Sequence, residues 1–140
     1  MLKPLVAITA LLLLGYPTRQ PVGAHEQAAQ ATPTTIPAEA ASMTNPIRPT
    51  PESLAKARKM YGYDCSMCHG DSGNGKGDLA VELKLKIKDF TDVETMKPVT
   101  DGEMFWVIQN GIGKMPGEGD RLKTDDLWNM VVVVRNFAKK

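Results

Sequence analysis

The sequence predicts an all-α domain, and three observations carry the prediction. Helix-start signatures stand at Thr50-Pro51-Glu52 and at Thr100-Asp101-Gly102-Glu103. Apolar residues recur behind them at the helical period, as in the stripe Leu54, Ala57, Tyr61, Cys65 and Cys68, spaced by three and four. The intervening segments are rich in glycine, and the single alternating run, VELKLKIKDF at residues 81–90, has no second strand to pair with.

Element by element, the chain begins with a targeting segment. Lys3 precedes an apolar run over residues 5–14, and Val22-Gly23-Ala24 suits cleavage after Ala24, so residues 1–24 read as a signal peptide and the mature chain as exported, to the periplasm or its equivalent. The run is much shorter than the roughly 20 residues a membrane span needs, which makes an uncleaved membrane anchor the minority reading. Residues 25–50 are rich in Ala, Thr and Pro and read as a disordered linker that contributes no core. The folded domain is residues 51–140. Its first helix starts at Thr50-Pro51-Glu52, with a capping hydroxyl, proline in the first helical position and an acid at the positive dipole end. GDSGNGKGD, residues 70–78, matches neither a P-loop nor a calcium-loop template and reads as a flexible turn. Residues 81–90 read as a short helix running into a loop. The third helix opens at the capping box Thr100 to Glu103, carries Met104, Phe105, Val107 and Ile108, and ends by Gly111. A fourth opens at Thr124-Asp125-Asp126, with Leu127, Val131, Val134 and Ala138 on one face.

Charge and composition exclude some functions. Lys and Arg number 17 against 16 Asp and Glu over 140 residues, and residues 51–140 are balanced at 14 against 14, so nothing marks a nucleic-acid binder. The chain holds only two cysteines, both in CSMCH at residues 65–69, which rules out a disulfide framework. A thioredoxin-type pair needs no histidine there and normally follows a strand. Structural zinc takes about four ligands, and Cys65, Cys68 and His69 supply three at most; the only other histidine is the distant His25. Residues three and four apart share a helix face, so the two thiols and the imidazole converge. That arrangement suits covalent attachment of one haem through Cys65 and Cys68, with His69 reaching the iron.

An iron that carries electrons rather than gas needs a sixth ligand, and the sequence offers eight methionines. Met1 falls in the signal, Met43 in the linker, and Met67 between the cysteines, facing away from the ring. Met60, Met104 and Met130 occupy helical core positions. Met96 lies in a loop without a positional cue. Met115, in NGIGKMPGEG at residues 110–119, sits among glycines that allow close backbone approach and before a proline that holds it extended. It is the best candidate, and a thioether opposite an imidazole raises the reduction potential.

CSMCH behind an amphipathic helix, KDFTD, NGIGKMPGEG and the terminal LWNMVVVVRNF together resemble a bacterial class I c-type cytochrome, over about residues 51–140. The resemblance implies a small class I cytochrome c fold wrapped round one covalent haem, with axial ligands at His69 and Met115 and electron transfer outside the cytoplasmic membrane. Three positions depart from the family pattern. Ala57 stands where a glycine usually marks the crossing of first and last helices, Val133 where the last helix usually has an aromatic, and the loop before Asp89 lacks the proline whose carbonyl often orients the proximal imidazole. The function read from this is a soluble, monomeric one-electron carrier between redox partner proteins, with no small-molecule substrate, no nucleic acid and no enzymatic activity of its own. The alternatives are a haem-binding electron-accepting subunit of a larger oxidoreductase complex and, less favoured, a haem-based gas sensor or enzyme. Lys76, Lys84, Lys86, Lys88 and Lys114 flank the segments expected around the exposed haem edge and could meet acidic groups on a partner.

Overall fold

The computed structural model describes residues 33–138. The expected signal peptide at residues 1–24 and the first part of the expected linker lie outside the described residues. The elements are a 3-10 turn at Ala38–Ser42, then α1 (Pro51–Asp64), α2 (Ser66–His69), α3 (Asp78–Glu82), α4 (Val93–Met96), α5 (Asp101–Asn110), a two-residue hairpin of β1 (Gly111–Ile112) and β2 (Met115–Pro116), and α6 (Thr124–Phe137). The all-α class read from the sequence holds, and the hairpin is too short to alter it. No helix among the described residues is long and apolar enough to cross a membrane.

Local chemistry sets the helix starts. Thr50 Oγ1 accepts from the Ser53 N–H at 3.2 Å while Ser53 Oγ accepts from the Thr50 N–H at 2.9 Å, a capping box with Pro51 as the first helical residue. Thr100 and Glu103 repeat the device at α5, at 3.1 and 2.7 Å. Both starts fall where the sequence puts them. At α6 the helix opens at Thr124, but Lys123 occupies the cap with no side-chain bond. The alternation over residues 81–90 is real without being a strand: Leu85 and Ile87 are half-buried, whereas Lys84, Lys86 and Lys88 are exposed along an irregular segment after α3.

The core lies where α6 is held between α1 and α5. Ala57 and Tyr61 of α1, Phe105 and Ile108 of α5, and Leu127, Met130, Val131 and Val133 of α6 are all buried in one cluster. Phe105 and Trp128 stack at 4.1 Å and 18°. The narrow apolar face expected for α6 is therefore too narrow: Trp128, Asn129 and Val133 are buried too, because neighbours cover the helix on two sides. Asn129 is satisfied inside, accepting from Ser53 Oγ at 2.9 Å and donating to the Asp125 carbonyl at 2.8 Å. Arg135 ties α6 to the α4–α5 junction, donating to Asp101 Oδ1 at 2.7 Å, to the Met96 carbonyl at 2.9 Å and to the Val99 carbonyl. Met96, expected in a loop, ends α4 and is 2% exposed.

Residues 33–50 depart from the expected disordered linker without a core. Ala40 is fully buried, Ile47 packs against the core, and the Gly113 N–H donates to the Pro33 carbonyl at 2.9 Å. The segment's approach to α5 is made largely by the backbone carbonyls of Ala40 and Met43, of which composition gives no hint. A Cβ on Gly102 would lie 2.0 Å from the Ala40 carbonyl oxygen, so the strap of residues 33–47 lies directly against the first turn of α5. Gly102→Val is expected to displace the strap and cost roughly 1–3 kcal/mol, the range for overpacking a tight contact. Denaturant unfolding, with limited proteolysis across residues 33–47, would check both parts.

Candidate functional site

The site begins where α1 gives way to α2. Cys65 caps both helices: its N–H donates to the Tyr61 carbonyl at 2.9 Å, and its carbonyl accepts from the N–H groups of Cys68 at 3.2 Å and His69 at 2.9 Å. This single turn brings Cys65, Cys68 and His69 together, as their spacing requires. Gly70, at φ 77°, stops the turn in a conformation that side-chain-bearing residues rarely adopt.

The following loop folds back onto that turn. The Gly75 N–H donates to the His69 carbonyl at 2.8 Å and the Gly77 N–H to the Cys68 carbonyl at 3.1 Å, satisfying acceptors that a four-residue helix leaves open. Glycine is required at 77, because a Cβ there would sit 2.3 Å from the Met67 carbonyl oxygen. Tyr61 Oη donates to the Gly70 carbonyl at 2.8 Å, and the Phe90 N–H to the Gly73 carbonyl at 2.7 Å. Residues 70–78 are thus a hydrogen-bonded brace rather than the expected flexible turn.

His69 is half-buried and stacks on Phe90, with centroids 4.7 Å apart and planes 17° from parallel. Burial holds its pKa below the ordinary histidine value, so the imidazole is neutral at pH 7. Its Nδ1 is buried with no hydrogen-bond partner in the structure. An enclosed ring nitrogen left unsatisfied costs roughly 1–3 kcal/mol. The absence of a proline before Asp89 agrees with this: no backbone carbonyl takes up Nδ1. Phe90 instead fixes the ring plane. That residue was read only as part of KDFTD, and its stacking partner lies 21 positions away, beyond any local signal.

The thiols separate the competing chemistries. Burial pushes the Cys65 thiol up to about 12, with Glu118 and Asp64 adding to the effect and Arg121 opposing it. A redox-active cysteine needs the opposite, an environment that favours thiolate. Among the described residues no group of three or more His, Cys, Asp and Glu side chains is arranged to hold a metal ion. Two thiols and a neutral imidazole on one turn fit a macrocycle attached through sulfur and ligated through the imidazole. An open cleft of about 260 Å³ lined by Arg58, Tyr61, Asp71, Val133, Asn136 and Phe137 includes none of these groups and is not the site.

Met115 lies on β2, paired with Ile112 across the hairpin, and is half-buried. Gly117 and Gly119 let the next residues close on the end of α5, where the Glu118 N–H donates to the Ile108 carbonyl at 2.8 Å and the Gly119 N–H to the Gln109 carbonyl at 2.9 Å. The other described methionines have different occupations. Met96, Met104 and Met130 are core, Met60 packs against it, and Met43 and Met67 are exposed. Met115 is absent from the core cluster. It is joined to the cysteine turn indirectly, through Glu118, Arg121 and Asp64. Arg121 pairs with Glu118 and reaches Asp64 Oδ1 at 3.0 Å, immediately before Cys65. The Glu118/Arg121 half of that link has readable i, i+3 spacing, whereas its Asp64 end has no sequence signal.

Residues 52–132 match the family model described as cytochrome C oxidase, cbb3-type, subunit III. Among solved structures, the KustC0563 c-type cytochrome is 29% identical, with a TM-score of 0.52, and the match covers 58% of this chain and 95% of that one. A chain of the Kuenenia stuttgartiensis reducing HAO-like protein complex Kustc0457/Kustc0458 is 26% identical, with a TM-score of 0.56, over 66% of this chain and 46% of that one. This chain therefore spans less than half the length of the latter. No curated protein matches.

Proposed function

The chain belongs to the family described as cytochrome C oxidase, cbb3-type, subunit III, and we propose that it works as an exported carrier of single electrons with one covalent haem. Its all-α fold is that of a class I c-type cytochrome. The observation that carries the proposal is the single turn on which Cys65, Cys68 and a neutral, half-buried His69 are held together. When bound, the haem supplies a centre that gains and loses one electron. Cys65 and Cys68 would anchor it, His69 would ligate the iron in an orientation set by Phe90, and Met115 would close the opposite position. The brace at residues 70–78 holds the cysteine turn rigid, and the buried Phe105, Trp128 and Met130 keep the interior apolar, both of which limit rearrangement when charge changes. Lys76, Lys84, Lys86, Lys88 and Lys114 are exposed and available to an acidic redox partner.

Acid–acetone extraction tests the attachment. Haem is expected to stay with the polypeptide, and its free removal would overturn covalent attachment through the two thiols. A second reading, an electron-accepting subunit of a larger oxidoreductase, draws on the likeness to a chain of a multi-protein complex. Purification from the native host distinguishes them: a carrier elutes at the mass of one chain, a subunit with its oxidoreductase.

A further inference from the structure

We propose that Arg121 is a positioning residue that clamps the Met115 loop onto the turn bearing Cys65. The clamp is defined by protein contacts alone; its consequence for the iron rests on the reading of Met115 as the sixth ligand. Three residues beyond Met115, the Glu118 side chain is only 10% exposed, and a carboxylate so enclosed is costly unless paired. Arg121 supplies the pairing. Its Nε donates to Glu118 Oε2 at 2.8 Å, its Nη2 donates to the same oxygen, and Nη2 also reaches Asp64 Oδ1 at 3.0 Å. Asp64 is the last residue of α1, so one guanidinium joins the ligand loop to the start of the attachment turn. Asp64 and Glu118 both act on the Cys65 thiol, which places the cluster within electrostatic reach of the first attachment point. The backbone agrees in purpose: the Arg121 and Leu122 N–H groups both donate to the Glu118 carbonyl, at 3.1 and 2.9 Å, folding the loop so that the guanidinium returns over Glu118.

Without Arg121, the Glu118 carboxylate must either stay enclosed and unpaired or move to water, and moving takes the loop with it. Removing the carboxylate's charge as well should relieve that penalty. Lysine keeps the charge but has a single nitrogen, and cannot set two donors on Glu118 Oε2, as Nε and Nη2 do, while also reaching Asp64.

The test uses the full haem-loaded protein and the variants Arg121→Ala, Arg121→Lys and Glu118→Gln/Arg121→Ala, with two readouts. Amide hydrogen exchange at Glu118 and Gly119 is expected to quicken about tenfold or more in Arg121→Ala, as loss of charge-assisted hydrogen bonds implies, and less in the other two. Wild-type exchange rates there in Arg121→Ala would overturn the clamp. The second readout is the weak far-red sulfur-to-iron absorption of the ferric form, expected to fade at a lower temperature in Arg121→Ala than in wild type. Quickened exchange with an unchanged thermal profile of that band would overturn the role toward Met115. A wild-type protein lacking the band, with exchange still quickened in Arg121→Ala, would establish the clamp and overturn the Met115 ligand reading instead.

Discussion

Replacing Cys65 and Cys68 together by alanine is expected to give a chain without covalently bound haem and with most of its ordered helix lost. About ninety residues makes a small domain, in which each large buried group counts heavily. The core is small, and few of its side chains come from the middle of the chain: between Tyr61 and Met104 the buried hydrophobic residues are Ala80 and Met96. That middle stretch holds α2, α3 and α4, of four, five and four residues, each far below the length at which an isolated helix is stable. Its glycines at 70, 73 and 75 hold positive φ and lose more conformational freedom on folding than other residues do. Something apolar and rigid must offset that ordering, and the haem proposed to be held at Cys65 and Cys68 would be such a group. Circular dichroism together with haem staining of the denatured polypeptide checks this. A double variant with wild-type helicity and melting temperature would mean that the protein core suffices and that the haem is an accessory to folding.

What was legible in the sequence was what is local. The caps at Thr50 and Thr100 act over three residues, and both helices start where those residues stand. Cys65, Cys68 and His69 converge because spacings of three and four on a helix leave no alternative. The contacts that were not legible are those made across the chain by backbone or by charge. Ala40 is buried because Gly102 offers no side chain, a fact of close approach that a composition rich in Ala, Thr and Pro conceals. α6 hides Trp128, Asn129 and Val133 as well as its expected face because both α1 and α5 lie against it. Phe90 matters to His69 only once the Gly73 carbonyl has caught its N–H. The two residues that depart from the family pattern at the helix crossing are both enclosed in the core cluster, Ala57 at 1% and Val133 at 3% exposure.

Met115→Ala is expected to lower the reduction potential, abolish the weak far-red sulfur-to-iron absorption of the ferric form, and let the ferrous form bind carbon monoxide readily. A thioether is a soft ligand that favours the reduced metal, so its loss moves the equilibrium toward ferric iron. Alanine offers no donor atom, and the Gly111 and Gly113 backbone on either side of Ile112 gives the hairpin little substitute bulk to close the position. The fold should survive, since Met115 is half-buried and outside the core cluster. Met96→Ala, Met104→Ala and Met130→Ala are expected to reverse the pattern: the far-red absorption stays, while lost packing costs on the order of 2–5 kcal/mol at sites as enclosed as Met96 and Met130. Ligand loss and packing loss are thereby separated in one series, read by absorption spectra and denaturant titration. If one of those three variants lost the absorption while Met115→Ala retained it, the sixth ligand would have to be reassigned to that residue. If wild-type ferrous protein itself bound carbon monoxide rapidly and stoichiometrically at neutral pH, the iron would be open from the start, and the carrier reading would give way to that of a gas sensor or enzyme.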